Sequence, residues 1–241
     1  MDKGDVIIVT GSAKRVGREI ALFLAQKGCR LVLHCNTSFT EAVSLQKELE
    51  GKGFGVAVVQ GDLCDTSRLQ DLFSRFVEPF GRVDGLVNSA SVFSRKSIEE
   101  VDVATWQQDM ALHAAAPFFL AKYLYLHLKA RQASGSVVNI TDTRLSNPTA
   151  SRPSYYCSKG ALAGETKALA IALAPTVRVN EVAPGLILPF DDGQYFSQMA
   201  QKLPLKTTGN PSAVCEAVWF LLSSYFVTGE TLRVDGGQHL L

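Results

Sequence analysis

The sequence lacks the features that mark several large classes of protein. It has no long apolar run, so neither a signal peptide nor a membrane-spanning helix is predicted, and a cytoplasmic location is expected. Its five cysteines are scattered and form no CxxC pair, which argues against a disulfide framework and a zinc site. The formal net charge is only +1, so nothing favours nucleic acid or a membrane surface as a partner.

What the sequence does have is the composition of an ordinary globular protein, with 46% hydrophobic and 20% charged residues. Its 241 residues are enough for one large α/β domain, 1–241, with a full core. Short apolar strands alternate with helices, which predicts βαβ units and a parallel sheet covered on both faces. The predicted strands are Val6–Thr10, Arg30–His34, Phe54–Gln60, Val83–Asn88, Ser136–Thr141, Arg178–Ala183 and Thr231–Val234. The predicted helices are Arg18–Lys27, Glu41–Gly51, Asp65–Phe80, Thr105–Arg131, Ser154–Ala174 and Pro211–Ser223.

A glycine-bearing loop follows the first strand and opens the first helix. Gly11 allows a tight turn, and Gly17 lets the helix pack closely on the sheet. The helix N-terminus then offers free N–H groups to a pyrophosphate, with Val16 in the same turn. The motif is not GxGxxG, because Arg15 lies near the place of a middle glycine. A βα turn that binds no ligand is the alternative.

Charge at the end of the second strand discriminates between the two nicotinamide cofactors. An NAD site usually has a carboxylate there, and this chain has none. Lys14 and Arg15 lie in the adjacent loop, and cations with hydroxyl and amide donors suit a 2′-phosphate. We therefore predict NADPH as the cofactor; the alternative is that both cations are merely solvated. The strand end carries His34, Asn36, Thr37 and Ser38.

Other strand ends offer further candidate contacts. Asp62 and Leu63 end the third strand and are candidates for contact with the adenine. Small residues after the fourth strand allow a cofactor to approach the backbone, although each could be simple loop chemistry. These residues are Asn88, Ala90 and Ser91. After the sixth strand, Pro184 and Gly185 lead into an irregular stretch, 186–205, which lies where substrate lids belong.

Tyr155 and Lys159 lie four residues apart in a predicted helix, so phenol and ammonium share one face. A lysine there can hold the phenol proton near the threshold of transfer, which a reductase needs after hydride addition. Taken alone, such a pair is more often a solvated helix face.

Together these motifs resemble the short-chain dehydrogenase/reductase family: TGxxxxxG, an Asp after the third strand, N-x-A, Y-x-x-x-K, Pro184-Gly185 and Val234-Asp235-Gly236-Gly237. The resemblance covers essentially the whole chain. It implies a single Rossmann-type domain with a seven-stranded parallel sheet flanked by helices on both faces, and a homotetramer. It also implies that Tyr155 is the acid, and that Lys159 lowers its pKa and binds the nicotinamide ribose.

A narrower resemblance is to the pteridine and dihydromonapterin reductases. Asp142 occupies the position of the family's usual serine, thirteen residues before Tyr155. The loop at residues 10–15, the segment 88–93, the turn at 184–188 and the C-terminal residues 226–240 also resemble these enzymes. The resemblance implies that Phe93 stacks on the pterin and that Ser91 contacts both cofactor and substrate.

The chemistry of a pterin agrees with these residues. A flat, polar heterocycle suits an aromatic face from Phe93, a cation from Arg15 near its carbonyl side, and a proton donor at a ring nitrogen. Asp142 beside Tyr155 can relay that proton. The alternatives are an Asx-turn for Asp142 and plain core packing for Phe93. His113 replaces the family's helical asparagine and is either a water-holding site residue or a helix-surface residue.

The sequence therefore predicts NADPH-dependent reduction of dihydropterins such as dihydromonapterin or dihydrobiopterin, with dihydrofolate as a side substrate. The alternatives are reduction of a carbonyl, such as a 3-oxoacyl thioester or small ketone, and a nicotinamide-binding sensor without chemistry. No metal is expected. The predicted catalytic residues are Asp142, Tyr155 and Lys159, and the predicted substrate contacts are Arg15, Ser91, Phe93, Asp142, Tyr155 and Leu186. Whether Gln238 or His239 of a neighbouring subunit completes the site stays open.

Overall fold

A seven-stranded, fully parallel sheet forms the centre of the molecule. The computed structural model describes residues 1–93, 95–189 and 194–241. All seven predicted strands are present, and all of their ends lie within two residues of the predicted ones. They are β1 Val6–Val9, β2 Arg30–Cys35, β3 Val56–Gln60, β4 Gly85–Asn88, β5 Gly135–Ile140, β6 Val177–Pro184 and β7 Thr231–Val234.

Helices connect the strands and cover both faces of the sheet. They are α1 Arg15–Gln26, α2 Phe39–Glu50, α3 Leu69–Val77, α4 Val103–Met110, α5 Ala116–Ala130, α6 Pro153–Ala172, α7 Gln194–Ala200 and α8 Pro211–Ser223. Short 3₁₀ turns span Thr66–Arg68, Thr143–Leu145 and Gln238–Leu240. The predicted fold class, a doubly covered Rossmann-type sheet, is confirmed.

The strand order is β3-β2-β1-β4-β5-β6-β7. The chain moves outward from β1 in one direction and then returns to begin β4 on its other side. In open parallel sheets, ligands bind where this reversal opens a crevice at the carboxyl ends of the strands. The loops after β1 and β4, which carry Gly11 and Ala90, meet at that point.

Two apolar cores enclose the sheet. On one face, α1 and α8 pack Ile20, Leu24 and Leu221 against Val9 and other strand residues. On the opposite face, residues of α3, α5 and α6 pack against the other side chains of the same strands. Because both strand faces are buried, the strands consist of continuous apolar residues, as the sequence pattern predicts.

The long predicted helix 105–131 is interrupted in its middle. Residues Ala111–Ala115 form a π-helical turn between α4 and α5, and this turn contains His113. The periodicity of apolar residues does not reveal a single π turn, because the residue spacing on either side of it stays helical. Such turns are frequent at functional sites. In the predicted lid, 186–205, the sequence pattern did not indicate α7, and residues 190–193 lie outside the described part.

Candidate active site

A cavity of about 1150 Å³ opens at the carboxyl ends of the strands, at the point where the strand order reverses. It extends from the loop after β1 to the turn after β6. Almost all predicted site residues line it. The lining includes Gly11, Lys14, Arg15, Val16, His34, Asn36, Thr37, Ser38, Asp62, Leu63, Ala90, Ser91, Phe93, Asp142, Tyr155, Lys159, Pro184, Gly185 and Leu186. The fold therefore assembles into one space residues that are far apart in sequence.

The glycine loop has the shape that a dinucleotide requires. Gly11 has φ +64°, and a Cβ on it would lie 2.7 Å from Cα of Ala90. A Cβ on Gly17 would lie 2.3 Å from the carbonyl oxygen of Gly11. Lys14, at the N-cap of α1, makes no side-chain capping bond, so the helix leaves N–H groups for another acceptor. This cradle fits the pyrophosphate of a nicotinamide cofactor.

His34 holds this loop in place. Its Nδ1 accepts from the N–H of Gly11 at 3.3 Å, and its Nε2 donates to the carbonyl of Gly61 at 3.0 Å. The imidazole is buried, and burial lowers the pKa of His34 to about 4. A neutral ring with both nitrogens engaged acts as a spacer between the ends of β1 and β3. His34 also lines the cavity, and its contact with the cofactor stays a prediction.

The predicted 2′-phosphate site is polar and open. Lys14 forms a 2.6 Å ion pair with Glu41 in the first turn of α2. Asn36 and Thr37 are exposed, and the Asn36 amide donates to Asp62 at 3.3 Å. Because the Lys14 ammonium already faces a carboxylate, a phosphate here competes with Glu41 for the cation.

A chain of hydrogen bonds fixes the loop after β4. The Thr10 hydroxyl accepts from the N–H groups of Ser89 and Ala90 at 3.0 and 3.1 Å. The Asn88 amide donates to Asn139 at 2.8 Å, so its side chain is turned into the sheet and does not line the cavity. Asn88 therefore anchors the start of the loop to strand β5, whereas Ala90 and Ser91 line the cavity.

Asp142 bridges two groups with its two carboxylate oxygens. Oδ2 accepts from the Tyr155 hydroxyl at 2.9 Å, and Oδ1 accepts from the N–H of Arg144 at 2.8 Å. The second contact is an Asx-turn, so the carboxylate closes a turn and contacts the phenol at the same time, and its catalytic role stays a prediction. Burial raises the pKa of Asp142 despite these hydrogen bonds and the nearby Lys159.

The phenol of Tyr155 is neutral in this structure. Burial raises its pKa well above the ordinary value, and the charge of Asp142 and the hydrogen bond to it raise it further. Lys159 donates to the carbonyl of Ile140 at 2.7 Å, and burial lowers its pKa to about 8, partly offset by Asp142 and Glu181. The family resemblance implied a lowered phenol pKa; in this chain the charge that most influences the phenol is an anion.

His113 joins two sides of the site. Its Nε2 accepts from the N–H of Val92 at 3.2 Å and lies 3.1 Å from the Ser91 hydroxyl. Since Nε2 accepts, Nδ1 carries the proton and donates to Ser158 at 2.9 Å. The ring is buried, and burial lowers its pKa to about 2. His113 is thus a neutral internal connector, not a surface residue, and its position came from the π turn.

Phe93 lies beside the proposed acid. Its ring is perpendicular to that of Tyr155, with centroids 5.1 Å apart, and the Arg152 guanidinium carbon lies 3.8 Å from its centroid. Phe93 therefore lines the cavity and is not part of either core. Arg15, with φ +52°, donates to the carbonyls of Leu188 and Pro189 at 3.3 and 3.2 Å, which ties the glycine loop to the start of the lid.

The C-terminal segment of the same chain, residues 235–239, packs against the turn that follows Asp142. Asp235 accepts from the Thr143 hydroxyl and from His239 Nδ1 at 2.8 Å. With its amide oxygen turned toward the guanidinium, Gln238 accepts from Arg144 Nε at 2.7 Å. Gln238 of this chain lines the cavity, and a contribution from a neighbouring subunit stays a prediction.

Sequence reasoning missed several other lining residues. Arg144, Arg152, Tyr156 and Phe196 were not predicted as site residues, and their proximity follows from turns and from helix placement. Only Arg152 had a usable signal, since it precedes Tyr155 by three residues and therefore lies near the same helix face.

Comparison with known proteins agrees with this architecture. Residues 11–239 match the family model described as enoyl-(acyl carrier protein) reductase. The chain belongs to the short-chain dehydrogenase/reductase family. It is similar to the FolM alternative dihydrofolate reductase 1 of Brucella suis in complex with NADP, with 33% identity, TM-score 0.94 and coverage of 100% and 97% of the two chains.

Two further relatives point to different substrates. The FolM alternative dihydrofolate reductase 1 of Brucella canis, complexed with NADP, is 34% identical with TM-score 0.92, covering 98% and 95% of the chains. A protein named ketoacyl reductase 2 of the granaticin polyketide synthase of Streptomyces violaceoruber is also 34% identical, covering 98% and 96%. The similarity thus confirms the family and leaves the substrate to the site.

The described residues lack two further features. None of their helices is long and apolar enough to cross a membrane. Within the same residues, no group of three or more His, Cys, Asp or Glu side chains is arranged to hold a metal ion.

Proposed function

We propose that the protein is an NADPH-dependent reductase of dihydropterins, with dihydromonapterin, dihydrobiopterin and dihydrofolate as candidate substrates. The observation that carries the proposal is the 2.9 Å hydrogen bond between Tyr155 and Asp142 inside a cavity that also presents the Phe93 ring. A ketone requires one hydroxyl donor at its oxygen. Reduction of a ring C=N group places a proton on the ring nitrogen next to the carbon that accepts the hydride, and a carboxyl beside the phenol can supply that proton.

The residues at one end of the cavity fit the cofactor. The glycine cradle and the free N-terminus of α1 would hold the pyrophosphate, and Lys14 would hold the 2′-phosphate. Lys159 would bind the nicotinamide ribose. NADPH supplies the hydride when bound, and the residues of this chain bind, orient and protonate the substrate.

Proton transfer is assigned to the Asp142–Tyr155 pair. Because the pKa of Asp142 is raised, the pair takes up an additional proton at higher pH than an exposed aspartate would. That proton would pass to the substrate nitrogen, and the partly exposed Asp142 would recover it from solvent. Phe93 would offer a ring edge or face to the heterocycle.

A comparison of substrates tests the proposal. Initial rates of NADPH oxidation should give kcat/KM values for dihydropterins at least about tenfold above those for 3-oxoacyl thioesters and small ketones. Higher efficiency on the thioesters would overturn the assignment.

Reduction of a carbonyl is the second candidate, favoured by the ketoacyl reductase relative at 34% identity. The variant Asp142→Ser separates the two, since it restores the serine usual in the family. Under the pterin proposal it should lose pterin activity. Under the carbonyl candidate it should keep or gain activity on 3-oxoacyl thioesters.

We also propose a homotetramer in a reducing cytoplasm. The cysteines are all free, which agrees with such a compartment. The tetramer has only the family resemblance as support. Light scattering on the purified protein tests it; a monomer would contradict the assembly without affecting the proposed chemistry.

A further inference from the structure

The cavity concentrates positive charge that the chain as a whole does not have. Among its described lining residues, six side chains are basic and two are acidic, whereas the net charge of the chain is +1. The basic residues are Lys14, Arg15, Arg95, Arg144, Arg152 and Lys159, and the acidic ones are Asp62 and Asp142.

Four of the basic residues fall into two groups. Lys14 and Arg15 belong to the glycine loop, at the end of the cavity assigned to the cofactor. Arg144 and Arg152 lie at the other end, one directly after the Asp142 turn and the other at the N-cap of α6, three residues before Tyr155. The cofactor phosphates therefore account for the first group and not for the second.

Arg152 differs from Arg144 in what holds it. The Arg144 guanidinium is engaged by Gln238. The Arg152 guanidinium lies over the Phe93 ring at 3.8 Å, and its buried Nε has no hydrogen-bond partner. No described residue forms an ion pair with it. A guanidinium held over a ring face, with one buried N–H unpaired, has a planar set of donors suited to a carboxylate, which binds it more strongly than a ring does.

We infer that Arg152 binds a carboxylate on the substituent of the pterin, so that the protein prefers pterins with an acidic side chain over those with a neutral one. This inference depends on the proposed function. With the heterocycle against Phe93 and next to the Tyr155–Asp142 pair, a substituent directed toward the N-cap of α6 passes Arg152. Its guanidinium then exchanges the ring of Phe93 for the carboxylate.

Two substrates and one substitution test the inference. Dihydrofolate carries carboxylates and dihydrobiopterin does not. Arg152→Gln should raise KM for dihydrofolate by about tenfold or more and change kcat/KM for dihydrobiopterin by less than about threefold. Added salt should weaken dihydrofolate binding to the unmodified protein and not to the variant. Arg68→Gln, which removes an exposed arginine outside the cavity, is the matched control.

The outcomes separate the inference from the function that it deepens. If the unmodified protein reduces neither pterin, the proposed function fails and the inference fails with it. If it reduces both, and Arg152→Gln lowers both equally or neither, only the inference fails. Arg152→Lys, which keeps the charge without the planar fork, should retain part of the preference and its salt dependence. Should the glutamine variant misfold, loss of both properties in the lysine variant would overturn the inference.

Discussion

The Tyr155 hydroxyl donates to Oδ2 of Asp142, while Oδ1 of the same carboxylate accepts from the N–H of Arg144. One aspartate thus closes a turn and faces the phenol at the same time. The turn fixes the carboxylate, and the helix α6 fixes the phenol, so the pair is held in place before any substrate arrives. Such preorganisation makes proton transfer efficient without large motions.

The first prediction concerns this pair. Tyr155→Phe and Asp142→Asn should each lower kcat for dihydropterins by about 10²–10⁴-fold, because each removes a member of the proton-donating unit. NADPH affinity, measured by fluorescence titration, should change little.

The double variant provides the sharper readout. If the two residues act as one unit, it should lose little more than the worse single variant. Losses that multiply would show independent roles. Tyr125→Phe, on helix α5 and outside the residues that line the cavity, serves as the control for loss of a phenol hydroxyl.

The second prediction concerns Lys159 and pH. Its pKa is lowered to about 8, so the ammonium is lost as pH rises through that value. The phenol stays protonated over this range because its pKa is raised. We therefore expect kcat/KM for NADPH, which reports ionisations of the free protein, to fall above about pH 8. Lys159→Arg should move this decline to higher pH; a decline that does not move would assign it to another group.

The third prediction concerns the choice between NADPH and NADH. Lys14→Gln should reduce kcat/KM for NADPH by about tenfold and leave that for NADH nearly unchanged, since only NADPH carries the 2′-phosphate. Glu41→Gln is its counterpart. It removes the competing carboxylate at 2.6 Å and should leave NADPH efficiency equal or higher. Equal efficiency of the unmodified protein with both cofactors would refute the assignment.

The fourth prediction concerns stability in acid. Burial lowers the pKa of His113 to about 2, so the unfolded chain binds a proton below about pH 6.5 that the folded chain does not. The contribution of this residue to unfolding free energy is therefore lost as pH falls below that point, by about 1.4 kcal/mol per pH unit.

The variant His113→Asn isolates the contribution of His113 to the pH dependence of the unfolding free energy. It should be destabilised at neutral pH by about 1–3 kcal/mol, because the link from Ser91 and Val92 to Ser158 is broken. Its stability should fall less steeply than that of the unmodified protein between pH 6.5 and 4.5, as followed by urea denaturation. Parallel pH profiles would show that His113 is protonated in the folded state.

Much of the fold could be read from the sequence because its signals are local. Apolar runs bounded by turns gave all seven strands, and Gly11 and Gly17 marked the loop where the backbone must approach closely. Local signals failed for the π turn around His113 and for the helix α7 within the predicted lid. The spacing of apolar residues along the sequence does not indicate either element.

For the site, the sequence by itself determined the types of side chain and the elements that carry them: Tyr155 and Lys159 on one helix face, Asp142 after a strand. The tertiary structure decided which of these side chains contact one another. It paired Lys14 with Glu41 and placed Arg152 over the ring of Phe93. It buried the neutral imidazoles of His34 and His113. It also brought Gln238 next to Arg144, in the turn that Asp142 closes. The physical reason is that periodicity depends on neighbours along one element, whereas burial, pKa and hydrogen-bond partners depend on groups that only folding brings together.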